Sequence, residues 1–317
     1  MVHSCMGGIV GLYRDLAMEH TTTTSVQEGR DVLAASGKRI DQWMADSIDW
    51  SHLPPHLAEA TRYGVLGGGK RLRPALVIQC CNAVGGDTDA PLAAAAALEF
   101  VHCFSLVHDD LPALDNDELR RGQPTLHVHA GEAMAILAGD LMLAMAFGLL
   151  ADAPCEPTVR TLLVGELARG TSDMVAGQVY DTLGGLPEEL TPIDQVRLVH
   201  LNKTGALIKA ACRMGAMCGD ANAESLDSVT QYGEAMGLMF QVVDDLLDIT
   251  QSTQHVGKAT GKDAASGKRT YPGVLGEAAC RDEVARLRTE AVMAISNLGD
   301  AADPLVGLAD LMAIRTQ

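Results

Sequence analysis

The sequence has few basic residues for its length. Its 317 residues include 24 lysines and arginines against 41 aspartates and glutamates, which gives a formal net charge of −17. A chain with this charge repels polyanions, so we do not expect a nucleic-acid partner. A small anionic substrate is still compatible with the sequence, because a local basic cluster or a bound cation can reverse the sign of the charge at one site.

Signals for β-strands are also scarce. Short Gly/Pro-bearing breaks at 84–91, 153–157 and 184–192 separate long periodic segments rich in Ala, Leu and Met. With 47% hydrophobic residues, the chain can bury a substantial core. We therefore predict an all-α domain of roughly ten or more helices.

The sequence lacks the usual marks of secretion and of a membrane span. Its eight cysteines form neither a compact disulfide framework nor a metal-binding spacing, which favours a reduced, cytoplasmic protein. The apolar stretch 133–150 is interrupted by Asp140 and is predicted to be a core helix, not a stable membrane span. Residues 1–30 resemble no signal peptide and are interpreted as a flexible leader, followed by one domain over 31–317.

Two acidic clusters stand out in this background. DDLPALD covers Asp109–Asp115 and DDLLD covers Asp244–Asp248, and each follows a mostly apolar stretch. Carboxylates at the end of an apolar helix face are costly unless a cation offsets their desolvation and mutual repulsion. Oxygen ligands favour Mg²⁺, which usually takes one or two carboxylates together with substrate phosphates. The candidate ligands are Asp109, Asp115 and Asp244, with Asp110, Asp245 and Asp248 close behind. Solvated helix ends are the alternative interpretation.

The spacing of these residues supports a shared site. On a helix, Asp244 and Asp248 lie one turn apart on one face, and Gln241 precedes them on the same stripe. Pro112 removes a backbone donor and ends the first helix, so Asp115 can return towards the helix end.

Basic residues surround the acidic clusters in the sequence. GGGKRLRP supplies Lys70, Arg71 and Arg73 after a glycine-rich turn that lets backbone amides approach an anion. Arg120 and Arg121 follow the first cluster, and solvated charge pairing is their alternative role. A third basic set comprises Lys203, Lys258, Lys262, Lys268 and Arg269. Phosphate groups bound between the acidic clusters need neutralisation of this kind on several sides.

The order of these motifs resembles that of the short-chain trans-polyprenyl diphosphate synthases, the farnesyl and geranylgeranyl diphosphate synthase family. The matching elements are GGGKRLRP, SLVHDDLPALDNDELRRGQPT, HLNKTGALIKA, FQVVDDLLDIT and GKDAASGKRTYP, which span residues 67–272. The resemblance implies an isoprenoid synthase fold, a single large helical bundle around a central cavity. It also implies Mg²⁺-dependent head-to-tail condensation of isopentenyl diphosphate with an allylic diphosphate, with roughly three Mg²⁺ ions per site, in a homodimer.

The resemblance assigns roles to individual residues. The isopentenyl diphosphate site corresponds to Lys70, Arg73, His102 and Arg121. The allylic site corresponds to Arg120, Lys203, Thr204, Gln241, Lys258 and Lys268. His102 also lies two helical turns before Asp109 on the same face, which would direct it into the cavity, although a packed core histidine is the alternative.

Two other classes of protein are compatible with acidic Mg²⁺ motifs. A class I terpene cyclase ionises a single substrate, usually carries an Asn/Ser/Glu second motif and has an aromatic-rich cavity. This sequence has DDLLD, keeps GGGKRLR and contains only 3% aromatic residues, which favours a synthase. A non-catalytic regulatory subunit would lack some of the aspartates or basic residues, and the expected ones are present.

The product length depends on the helix that ends at Asp109. Ser105 and Phe104, four and five residues earlier, lie one turn deeper along the expected prenyl tunnel. An aromatic side chain there can close the tunnel, so Phe104 predicts farnesyl diphosphate, with fifteen carbons. Geranylgeranyl diphosphate, with twenty, is the alternative, because Ser105 is small and Phe104 can turn aside. A third interpretation is that Phe104 simply packs in the core.

Overall fold

The computed structural model describes residues 3–86, 89–254 and 269–314, and this part of the chain is almost entirely helical. A five-residue π-helix occupies Leu201–Gly205, and a 3₁₀-helix, Ser296–Ala302, precedes the last helix. The all-α prediction is confirmed. The α-helices are α1 (His3–Ser47), α2 (Pro55–Leu66), α3 (Leu72–Ala83), α4 (Ala90–Asp109), α5 (Leu126–Ala130), α6 (Glu132–Ala151), α7 (Pro157–Thr182), α8 (Pro192–His200), α9 (Ala206–Cys218), α10 (Ala223–Gln254), α11 (Tyr271–Leu275), α12 (Glu277–Ala294) and α13 (Asp303–Ala313).

Helix α4 runs through the hydrophobic core. Its residues 90–101 are all buried, and α3, α6 and α9 pack around it. The small side chains of Ala93–Ala97 allow these neighbours to approach closely. Because α4 ends at Asp109, the first acidic cluster emerges where a buried helix meets the surface.

The π-helix is held between α7 and α10 by glycines. A Cβ atom added to Gly177 of α7 would lie 2.1 Å from the backbone nitrogen of Lys203, and one added to Gly237 of α10 would lie 2.7 Å from the Cα of Gly205. Only glycine permits these close approaches. Short π-helical segments often occur at functional sites, and this one carries Lys203 and Thr204.

A two-residue hairpin follows the first acidic cluster. Strands β1 (Leu119–Arg120) and β2 (Gln123–Pro124) pair in antiparallel fashion, with Arg120 opposite Gln123. The turn residues Arg121 and Gly122 both have positive φ, 54° and 76°. This left-handed turn folds the two arginines back over the end of α4.

Helix α1 is continuous across the boundary that the sequence predicts at residue 30. The side chains of residues 1–23 lie outside the described part of the structure, so the leader over 1–30 stays a prediction. From Gly29 onward, α1 packs tightly on α13, where a Cβ atom on Gly29 would lie 2.1 Å from the carbonyl oxygen of Gly307.

Two of the described helices, α4 and α6, are long and apolar enough to cross a membrane by length and composition. Helix α4 is 83% buried within the protein, as a core helix should be. Helix α6 contains the stretch 133–150 that the sequence predicts as a core helix, but it is only 33% buried. It leaves Ile136 and Leu137 exposed.

Candidate active site

The first acidic cluster folds back on itself. The backbone N–H of Asp115 donates to the carbonyl oxygen of Asp109 at 2.8 Å, which is the return that Pro112 predicts. Burial raises the pKa of Asp109 to about 6; the ammonium group of Lys203 opposes the shift and the carboxylate of Asp115 adds to it. A desolvated carboxylate beside a second one is a suitable environment for a divalent cation.

Asp110 has a different environment from Asp109. Arg120 donates from Nε to both carboxylate oxygens at 2.9 Å and from Nη2 to Oδ1 at 2.6 Å. The Asp110 side chain is only 4% exposed. The hairpin therefore neutralises the buried Asp110 with Arg120, whose own side chain is 33% exposed.

The segment GGGKRLRP places its three basic residues in three environments. Arg71 is buried with a left-handed backbone, φ 50°, and its guanidinium donates to Asp41 at 2.8 Å, to Glu99 at 2.5 Å and to the carbonyl oxygen of Val65 at 2.9 Å. Arg73 lies inside the bundle beside His102. Lys70 lines an open groove of about 720 Å³ against α1, away from Arg73.

Arg73 and His102 form a desolvated pair. The Arg73 Nη1 atom lies 3.5 Å from His102 Nε2. Burial and the surrounding guanidinium groups, that of Arg73 first, hold the pKa of His102 well below its ordinary value. The imidazole is therefore neutral and can accept from Arg73. Among the described residues, Arg73 Nε is one of four buried side-chain polar atoms without a hydrogen-bond partner, so it is a donor available to a ligand.

Lys203 lies where two cavities meet. Its Nζ atom donates to Asp181 of α7 at 2.6 Å. One cavity, of about 320 Å³, is lined by both basic and acidic groups of the predicted site: Arg73, His102, Asp109, Lys203 and Thr204. The other, of about 380 Å³, is lined by Asp181, His200, Lys203, Gln241 and Asp245. The π-helix thus joins the two halves of the predicted site.

The second acidic cluster lies on α10 across from Arg73. Burial lowers the pKa of Arg73, and the carboxylates of Glu99 and Asp244 are among the groups that oppose this shift, which puts Asp244 within electrostatic range of the guanidinium. Asp248 is exposed one turn further on. Asp245 is buried and accepts hydrogen bonds from His200 and from the backbone of Tyr271.

The two predicted chain-length residues line the cavity below Asp109. Phe104 is 8% exposed, and its ring meets that of His108 edge-on, with centroids 5.6 Å apart. The hydroxyl of Ser105 donates to the carbonyl oxygen of His102 at 2.9 Å, so the polar atom is satisfied within its own helix. Apolar groups continue the wall: Leu106, Leu114, Met174, Val175, Val179 and Leu207.

Other predicted residues are not gathered into this cavity. Arg120 and Arg121 line a small pocket of about 90 Å³ together with Asp110, and Arg121 Nη1 donates to the carbonyl oxygen of Gly68. Lys258 and Lys268 lie outside the described residues, so their assignment to the allylic site stays a prediction.

Three polar residues at these cavities escaped the sequence-based prediction. Gln178 lines the first cavity, and its Nε2 atom is buried without a partner. Asp181 holds Lys203, and His200 holds Asp245. The sequence does contain a pattern that could have predicted two of them. Gln178 and Asp181 directly follow Gly177 and are spaced three residues apart, which places both on one face of α7.

Comparisons with known proteins decide the family. A family model described as polyprenyl synthetase matches residues 54–297, more than half of the chain and both acidic clusters. The chain belongs to the polyprenyl synthetase family. It is a trans-prenyl diphosphate synthase by this membership, with the isoprenoid synthase fold of its structural neighbours.

Individual relatives agree with this family. The chain is 43% identical over 272 residues to geranylgeranyl pyrophosphate synthase 11, chloroplastic, of Arabidopsis thaliana, covering 83% of this chain and 75% of the relative. It is also 43% identical to geranylgeranyl pyrophosphate synthase 3, chloroplastic, of the same plant, covering 98% and 93%. A solved FPP/GFPP synthase from Zymomonas mobilis matches with a TM-score of 0.78 at 33% identity, covering 90% of this chain and 98% of that one.

The donor set of this prenyl synthase is compatible with Mg²⁺. No three carboxylate, imidazole or thiol side chains in the described residues are already grouped as a metal site. Mg²⁺ does not require such a cage, because it keeps several waters and binds through one or two carboxylates plus substrate phosphates. The desolvated Asp109, the neighbouring Asp115 and Asp244, which lies within electrostatic range of Arg73, carry carboxylate oxygens of that kind.

Proposed function

We propose that this prenyl synthase condenses isopentenyl diphosphate with an allylic diphosphate and extends the chain to geranylgeranyl diphosphate. The observation that carries the proposal is the cavity below Asp109, where basic groups, a desolvated carboxylate and a long apolar wall lie together. A prenyl diphosphate has the same division into a charged head and an apolar tail.

The residues of the chain account for binding of the two diphosphates. Arg73, with its unpartnered buried Nε, and neutral His102 suit the diphosphate of the homoallylic substrate. Lys203 lines both cavities, with Thr204 in the first and Gln241 in the second, and these three residues suit the allylic diphosphate. Removal of bulk water by the apolar wall strengthens each of these charged contacts.

We also propose that Asp109, Asp115 and Asp244 hold Mg²⁺. When bound, Mg²⁺ supplies positive charge that stabilises the departing diphosphate. The raised pKa of Asp109 supports this assignment, because a cation relieves the cost of a buried carboxylate. Asp248, exposed at the end of the second motif, stays a predicted ligand.

Two observations support a twenty-carbon product over the fifteen-carbon one that Phe104 predicts. The Arabidopsis relatives are named geranylgeranyl pyrophosphate synthases. In addition, the Phe104 ring is held edge-on against His108 in the cavity wall, and the small side chain of Ser105 beside it leaves space along that wall. Farnesyl diphosphate is then an intermediate of the same elongation.

A turnover assay with isopentenyl diphosphate and dimethylallyl diphosphate tests the reaction and its product. We expect geranylgeranyl diphosphate from the wild type, a shorter product from Ser105→Phe and a longer one from Phe104→Ala. Unchanged product length in both folded variants would place the tunnel floor elsewhere. Cyclised hydrocarbon would indicate a terpene cyclase, and inactivity without a partner would indicate a regulatory subunit.

Two further properties belong to this proposal. We infer a homodimer, because α6 exposes Ile136 and Leu137, and Val175 and Val179 of α7 are both exposed and part of the cavity wall.

The cellular compartment is a choice between the cytoplasm, which the cysteines favour, and the plastid. The Arabidopsis relatives are named as chloroplastic enzymes.

A further inference from the structure

The carboxylate of Asp245 joins three separate segments of the chain. Its Oδ2 atom accepts from His200 Nε2 at 3.1 Å and from the backbone N–H of Tyr271 at 2.9 Å. These residues belong to α10, to the end of α8 and to the start of α11. His200 is 7% exposed, Asp245 is 9% exposed and Tyr271 is fully buried.

Ring contacts and an ion pair between Arg197 and Glu283 extend this connection. The rings of His200 and Tyr271 are stacked, with centroids 5.5 Å apart and planes 14° from parallel. Arg197, one turn before His200, donates to the Tyr271 hydroxyl at 3.0 Å and to Glu283 of α12 at 3.3 Å. We refer to Asp245, His200 and Tyr271 as the clamp.

The clamp lies next to the groups that bind the allylic diphosphate under the proposed function. His200 is the N-terminal cap residue of the π-helix, so its position fixes where Lys203 and Thr204 begin their turn. Asp245 itself follows Asp244 directly in the second acidic cluster. A single buried carboxylate therefore sets the π-helix relative to the acidic helix α10.

We propose that Asp245 is a positioning residue of the clamp and not a Mg²⁺ ligand, although it stands within the second acidic motif. Two N–H donors occupy its Oδ2 atom. Breaking these buried hydrogen bonds would leave the carboxylate and both donors without partners. A cation at this oxygen would have to displace His200 and Tyr271. The role in diphosphate binding rests on the proposed function, whereas the structural role of the clamp does not.

The Mg²⁺ concentration needed for activity distinguishes a positioning residue from a Mg²⁺ ligand. Asp245→Asn and His200→Phe are compared with Asp115→Asn, in which an exposed predicted ligand is changed. We expect both clamp variants to raise the KM for the allylic diphosphate about tenfold, with the KM for isopentenyl diphosphate and the half-saturating Mg²⁺ concentration little changed. Asp115→Asn should instead raise the half-saturating Mg²⁺ concentration. If Asp245→Asn raised it as Asp115→Asn does, Asp245 would be a ligand and the inference would be wrong.

Thermal unfolding in excess chelator gives a readout that needs neither metal nor activity. We expect Asp245→Asn and His200→Phe each to lower Tm by about 5 °C, and the double variant to lower it by little more than either single one. Asp115→Asn should leave Tm unchanged. Additive effects of the two clamp variants would show that the residues do not act together. If the wild type lacked turnover, the proposed function would be wrong. The comparison of the single and double variants would still show whether Asp245 and His200 act together.

Discussion

At the residue scale, Asp109 is a predicted site residue whose ionised carboxylate lowers the stability of the folded protein. The carboxyl group ends a buried helix, and burial raises its pKa from 3.8 to about 6. Folding therefore favours the protonated form. Below about pH 4 the carboxyl is neutral in the folded and the unfolded chain and does not reduce the free energy of unfolding. Its ionisation destabilises the fold as the pH rises through about 6.

The substitution Asp109→Asn should consequently stabilise the metal-free protein while it removes activity. At pH 7.5, in chelator, we expect a gain on the order of 3 kcal/mol in the free energy of unfolding, since the pKa rises from 3.8 to about 6 and one pKa unit corresponds to about 1.4 kcal/mol. The gain should shrink below pH 6 and vanish near pH 4. Thermal denaturation across this range measures it, with Asp173→Asn on the exposed face of α7 as control. A variant less stable than wild type at pH 7.5 would contradict the assigned environment.

At the scale of elements, the position of Lys203 depends on how closely α7 approaches the π-helix. Gly177 permits that approach, because any side chain there would overlap the backbone of Lys203. Gly165 lies on the same helix in a different setting: a Cβ atom added there would meet only the flexible end of Arg169, at 3.4 Å. Alanine substitutions at these two positions therefore distinguish the effect of packing, at Gly177, from the effect of helix propensity, at Gly165.

The pair Gly177→Ala and Gly165→Ala should change stability in opposite directions. Overpacking at Gly177 is expected to cost about 1–3 kcal/mol and to lower turnover at least about tenfold by displacing Lys203. At Gly165, the better helix propensity of alanine should add up to about 1 kcal/mol with activity retained. Urea denaturation and steady-state kinetics provide both measurements. Full activity of Gly177→Ala would mean that Lys203 tolerates movement.

At the scale of the whole molecule, α6 is more apolar than its surroundings require. Ile136 is 45% exposed and Leu137 is 56% exposed, whereas most of α4, which packs against this helix, is buried. An apolar face on one helix suits an isologous interface, in which two copies bury the same surface. The exposed cavity-wall residues Val175 and Val179 on α7 would be covered if the interface extends that far.

Light scattering after size exclusion should find a dimer of about 67 kDa, twice the 33.4 kDa of the chain. We expect Leu137→Glu to shift the population to monomer, because an unpaired charge would be buried at the interface. Met293→Glu is the matched control: this residue of α12 is 68% exposed and belongs to a different face. Dissociation by Met293→Glu alone would place the interface on α12, and a monomeric wild type would exclude the homodimer.

Features that depend on local chemistry could be predicted from the amino-acid sequence alone. Pro112 predicted the end of α4 beside Asp109 and the return of Asp115, because the constraints of proline act within one turn. The order of the glycine-rich, acidic and lysine-bearing motifs predicted the family. Apolar periodicity predicted the helices, since it reflects the side of each helix that is buried.

Which of these residues face a shared cavity depends on how the helices pack, and the sequence did not predict it. The sequence predicts Asp110 and Asp245 as ligands. In the structure Arg120 reaches Asp110 from the hairpin that follows it, and His200 reaches Asp245 from α8, 45 residues earlier in the chain. Lys70 lines a groove beside α1, although it stands three residues from Arg73. The partner of a charged group is set by how helices pack, and local sequence pattern carries no information on which distant side chain arrives there.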